Sequence, residues 1–175
     1  MSLALALAFV AGSTFDLNAA ERAEGNRRPE AVQVGRALLR TIWPAQVLKI
    51  RIDGVDKHSV AGLMISGVKF HRPLDAAEFT GEVIALASQT FAASDVEEVD
   101  VWATVPLRPF AQKPVNGEFL QPTDRIVYGA TILRSQSATF AARLRLGVGV
   151  YWDPVWQNSL RQVRKEQVSR NSGST

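Results

Sequence analysis

The sequence predicts an α+β domain: one small unit with a mixed four-stranded sheet, helices packed mainly on one face, and the order α-β-β-α-β-β-α. Three observations carry this expectation. Strand-like stretches recur four times, one helix marks its own start with a capping pattern, and that helix separates two strands that then run parallel through a crossover. A chain of 175 residues has room for one domain with a sizeable core and short tails. Its 46% hydrophobic and 21% charged content is that of a globular protein.

The first helix is expected from Pro29 to Trp43, with Pro29 at the first helical position, a stripe of Val32, Leu38, Leu39 and Ile42, and Pro44 as the stop. "VLKIRI" alternates as a half-buried strand, with Leu48, Ile50 and Ile52 inward and Lys49 and Arg51 outward; Asp53-Gly54 marks a turn. "SVAGLMISGVKFH" is apolar on both faces and reads as a central strand covered on both sides. Gly62 and Gly67 within it suggest a bulge or a close approach.

In "PLDAAEF", Asp75 is placed to cap a helix and Glu78, three residues on, to reciprocate, with Leu74 and Phe79 as a hydrophobic staple. Phe79, Val83, Leu86, Ala87 and Phe91 then carry the buried face to about Ala93. In "EEVDVWATVPL", Val99, Val101, Ala103 and Val105 point one way and Asp100, Trp102 and Thr104 the other. A long irregular stretch, Pro106 to Asp124, contains Pro106, Pro109, Pro114 and Pro122 and the turn-forming Asn116-Gly117. "RIVYGATILR" is the fourth strand. Beyond it, Ser137 is placed to cap a short helix to about Arg145, while "RLRLGVGVYW" alternates as a strand would, and both readings stand.

The expected divisions are a signal-like or flexible segment over 1–28, the α+β domain over 29–157, and a basic helix with a frayed tail over 158–175. The run from Leu3 to Gly12 has the apolar centre of an export signal, with Ala11 and Ser13 as small residues at a cleavage site and a polar stretch from Asn18 to Pro29 as the linker. The basic start of such a signal is missing. The run is too short for the about 20 apolar residues that span a bilayer. This places the protein outside the cytoplasm if the segment is a signal, and in the cytoplasm otherwise. The net charge of +3 lies at the C-terminal end, in Arg161, Arg164, Lys165 and Arg170 against Glu166, so the body is neutral and gives no strong nucleic-acid signal.

No cysteine is present, which excludes disulfides, thiolate catalysis and cysteine-bound metals. The two histidines, His58 and His71, come with no GxSxG turn and no SxxK pair. Asp53, Asp56 and His58 lie close in sequence but match no metal-site spacing, so neither a metal nor a cofactor is expected. The element order is similar to the core of metal-dependent nucleases. Their acid-x-Lys signature would fall on Gly67-Val68-Lys69, where glycine replaces the required carboxylate.

Aromatic residues are the remaining candidates. "YWDPVW" gathers Tyr151, Trp152 and Trp156, and Trp102 sits on the outward face of its strand. In the proline-rich loop, Phe110 and Phe119 are the apolar contacts, with Arg108 and Lys113 on the rim. These side chains suit pinning the loop and the C-terminal segment to the body first, and after that contact with a partner or stacking on a small ligand. The expected function is a non-catalytic extracytoplasmic interaction domain that binds a protein or cell-envelope partner. The alternative is a small hydrolase using His58 or His71 with Asp53 or Asp56.

Overall fold

The computed structural model describes residues 18–40, 46–55, 58–70, 72–107 and 124–160. They form α1 (residues 18–22), β1 (Ala23–Glu24), α2 (Arg28–Leu38), β2 (Val47–Val55), β3 (His58–Ser66), α3 (Ala76–Ala93), β4 (Glu98–Pro106), β5 (Asp124–Leu133), α4 (Phe140–Arg145), β6 (Val150–Trp152) and α5 (residues 154–160). The architecture is α+β, with one mixed sheet of six strands in the order β1-β2-β3-β4-β5-β6. The four expected strands are its centre, β2 to β5. Pairs β2–β3, β4–β5 and β5–β6 are antiparallel, whereas β1–β2 and β3–β4 are parallel. Helix α3 makes the crossover from β3 to β4, as its place between two parallel neighbours demands.

The capping box at α3 is complete: the Glu78 amide donates to Asp75 Oδ1 (2.8 Å) and the Asp75 amide to Glu78 Oε2 (2.9 Å). A cap of this kind contributes about 1 kcal/mol. It fixes the first turn so that Phe79 enters the core, where Leu74 is buried as well. At the other end, Arg134 supplies what the helix's own last turn lacks. Its guanidinium donates to the carbonyls of Phe91 (3.1 Å), Ser94 (2.7 Å) and Val96 (2.6 Å) and lies over the Phe91 ring.

Several expectations need correction. Residues 18–28, read as a polar linker, are folded onto the body. Ala19 and Ala23, four apart, are buried while the charged neighbours stay outside, and Arg28 ties the segment down through the carbonyls of Ala20 and Ala23. Gly25 (φ +98°) makes the turn; a Cβ there would stand 2.1 Å from the Ile52 carbonyl oxygen. Helix α2 ends at Leu38 and buries Ala31, Val34, Gly35 and Leu38; of the expected stripe, Leu38 and Leu39 are buried, Val32 is half-buried and Ile42 lies outside the described residues. Small residues on that stripe let the helix approach the sheet closely, with Gly35 against Ile50. In β2 a register shift between Val47 and Lys49 breaks the alternation, so Val47 is buried and Leu48 half-buried. Between residues 134 and 152 both readings meet. A helix ends at Arg145, and Gly147 (φ +72°) and Gly149 (φ +73°) turn the chain back as edge strand β6.

All the large core residues lie on one side of the sheet. Ile50, Ile52, Ala61, Leu63, Ile65, Val99, Val101, Ala103, Tyr128, Ala130 and Ile132 face the buried sides of α2, α3, α4 and α5. No described helix packs on the second face, where β3 presents Gly62 and Ser66, both buried, and Met64, half-buried.

Candidate functional site

The strand register places the outward residues in transverse rows. One row runs Lys49, Met64, Trp102, Gly129, Tyr151 from β2 to β6. The next runs Arg51, Gly62, Asp100, Thr131. The β1–β2 half of this open face is polar. Lys49 Nζ pairs with Glu24 at 2.9 Å, and Arg51 pairs with Asp53. The β3–β6 half is apolar and aromatic, with Met64 and Trp102 half-buried, Tyr151 54% exposed and Ile126 49% exposed.

Two glycines shape the aromatic half. Gly62 makes room for the Trp102 indole, because a Cβ at 62 would come within 2.7 Å of Trp102 Cη2. The ring therefore leans toward β3. On the other side of Trp102, a Cβ at Gly129 would meet nothing closer than Tyr151 Cβ at 3.8 Å. The result is a shallow groove of about 420 Å³ with Gly129 on its floor, Trp102 and Tyr151 on either side, and Ile126, Asp100, Thr131 and Gly149 around them. Thr131 Oγ1 donates to Asp100 Oδ1 at 2.5 Å. Burial, and secondarily the charge of Asp100, raise the Glu98 carboxyl above the usual glutamate range.

The expected contact residues separate. Trp102 and Tyr151 share this groove. Trp152 and Trp156 do not reach it; they lie on the helix-covered side. Trp156 is 6% exposed, its Nε1–H donates to the Gly67 carbonyl (2.9 Å), and its ring meets Phe79 edge-on at 5.1 Å. Trp152 packs on Phe79 (5.7 Å), Tyr128 (4.8 Å) and Trp156 (5.7 Å). Their role is to pin α5 to the core, helped by Asp153, which accepts from the Trp156 amide. Phe110 and Phe119, with Arg108 and Lys113, lie outside the described residues. The close approach expected at Gly62 is present, against Trp102, whereas sequence reasoning missed Gly129 and Asp100. The signal was present in the two strand glycines, but only the structure reveals that Gly129 pairs with Trp102 and that the Trp102 ring lies over Gly62.

Of the hydrolase candidates the structure describes two, His58 and Asp53, on facing arms of the β2–β3 hairpin. The His58 side chain is 94% exposed, with Nδ1 3.6 Å from Glu97 Oε2. Asp53 accepts from the Asn26 amide and from Arg51, and these two, in that order, hold its carboxyl below the usual range. Asp56 and His71 lie outside the described residues. Among the described residues no group of three metal-ligating side chains forms. A second surface hollow, between the start of α2 and the end of α3, holds Arg27 bridged to Glu30 (2.6 Å) and Asp95 (2.9 Å), an ion cluster satisfied within itself. No helix among the described residues is long and apolar enough to cross a membrane. No known protein family, no curated protein and no solved structure matches this chain.

Proposed function

We propose that this chain is a non-catalytic interaction domain that engages a protein or cell-envelope partner through the aromatic half of its open sheet face. The observation that carries the reading is the groove over Gly129. An indole and an exposed phenol flank a strand position that has no side chain of its own, on a face that no described helix covers. Tryptophan and tyrosine offer large contact area for little lost conformational freedom, which is why they concentrate at interface centres. The apolar run from Leu3 to Gly12 supports an encounter outside the cytoplasm.

Photo-crosslinking in the native host tests both parts. A benzophenone side chain at position 151 should give a discrete adduct in the extracytoplasmic fraction. The same group at Ser88, exposed on α3, should give none, and Gly129→Val should abolish the adduct at 151. Equal adducts from both positions, or persistence with Gly129→Val, would overturn the site. Adduct confined to the cytosol would overturn the location.

A further inference from the structure

The groove's size and charge narrow its occupant, an inference that rests on the open-face reading above. Adjacent strands stand about 4.8 Å apart, so Trp102 and Tyr151, two strands apart, bracket a gap of about 10 Å. In an ordinary sheet the side chain of residue 129 fills that space. The slot is therefore one side chain wide, and it is suited to a guest side chain inserted from a partner.

Its surroundings are electron-rich. Two aromatic side chains line it, and aromatic rings attract cations through their quadrupoles. Asp100 stands at one end. Thr131 occupies Oδ1, and Oδ2 has no partner among the described residues. Glu98, two residues earlier on the same face of β4, adds a second carboxylate. Among the described residues no lysine or arginine pairs with either acid. Arg51, in the row of Asp100 but two strands away, is engaged by Asp53, and Arg143, near Gly149, donates to Gln136 at 2.5 Å.

We propose that this slot binds an arginine side chain presented by a basic segment of the partner. A guanidinium is planar and weakly hydrated, so it stacks between aromatic walls while its edge donates to a carboxylate. Lysine brings a more strongly hydrated point charge that gives less contact with the rings. A sugar ring would also stack, but it would leave the two carboxylates without a counter-charge.

Amide and indole NMR spectra of the full chain test this with three probes: acetyl-Gly-Gly-Arg-Gly-Gly-amide, its citrulline counterpart and N-acetylchitotetraose. The arginine peptide should shift the Gly129 amide and the Trp102 indole N–H saturably. Neutral citrulline keeps the shape and loses the charge, so it should bind about fivefold more weakly. Asp100→Asn, which retains the acceptor for Thr131, should weaken the arginine peptide by about the same factor. The body of the chain is neutral and offers an arginine peptide no general attraction, so saturation reports the slot. Equal binding of the citrulline peptide, or arginine-induced shifts that leave Gly129 unmoved, would overturn the proposal. Sugar binding without arginine binding would also overturn it while leaving the interaction reading intact. Loss of the Gly129→Val effect on crosslinking would remove both.

Discussion

Tyr151 and Trp152 are neighbours in the chain and end on opposite sides of β6. Trp152 joins Phe79, Tyr128 and Trp156 in a cluster whose ring centroids lie 4.8–5.7 Å apart, mostly edge-to-face. Tyr151 stands 54% exposed beside Gly129, across from Trp102. The same residue chemistry thus serves two purposes. On the inner face every aromatic meets another large side chain, and the cluster closes the core over the first turn of α3. On the open face the aromatics meet glycines: Trp102 lies over Gly62, and Tyr151 beside Gly129 keeps more than half of its surface exposed. Aromatic content alone says nothing about interfaces; what lies opposite each ring decides its role.

The comparison breaks most visibly at the tryptophans. Trp156→Ala removes a buried ring and leaves the Gly67 carbonyl without its donor, so unfolding free energy should fall by about 3–5 kcal/mol. Trp102→Ala should cost less, about half of that, because its ring is only partly buried and, among the described residues, donates no hydrogen bond to the core. Urea unfolding of both variants measures the contrast. Equal losses would mean that the open face is as tightly packed as the inner one and would remove the physical basis for a binding surface there.

Much of the fold was legible because local rules and tertiary demands agree. Asp75 and Glu78 announce α3, and the alternation in β4 sorts Val99, Val101 and Ala103 from Asp100 and Trp102 correctly. Legibility failed where a residue's partner is distant in sequence. Ala19 and Ala23 carry too small an apolar signal to distinguish a docked segment from a linker, and their burial depends on β2 and α2. The "YWDPVW" cluster was legible as aromatic but not as divided, since the division depends on Tyr151 pairing with Gly129 and Trp152 with Tyr128. The slot itself is a register effect. Trp102, Gly129 and Tyr151 come from three strands, and no single stretch of sequence contains it.

The inner cluster has one discordant atom, and it offers a smaller test. Tyr128 is fully buried, and its hydroxyl has no hydrogen-bond partner among the described residues. Burial pushes that phenol far above the ordinary tyrosine range, so it stays neutral at any physiological pH. Tyr128→Phe keeps the ring contacts with Phe79 and Trp152 and removes the unsatisfied group. Stability should rise by about 1 kcal/mol. A fall of that size would show that the hydroxyl has a polar partner, and the inner face would then be less purely apolar than the comparison holds.

The smallest expected stability effect is on the open face, where the largest functional one is also expected. Gly129→Val adds a β-branched side chain to a mid-strand position where such residues are favoured. A Cβ there meets only Tyr151 Cβ, at an ordinary 3.8 Å, and the backbone is not in the left-handed region. Unfolding free energy should therefore stay within about 0.5 kcal/mol of the parent, while the valine methyls occupy the slot between Trp102 and Tyr151. Gly62 is the informative contrast. A Cβ there would press on Trp102 Cη2 at 2.7 Å, so Gly62→Ala must displace the indole and should perturb its fluorescence and its indole N–H resonance. If Gly129→Val instead destabilises the chain as much as a core substitution does, the floor of the groove is part of the packing. The open face would then be another built surface and not a vacant one.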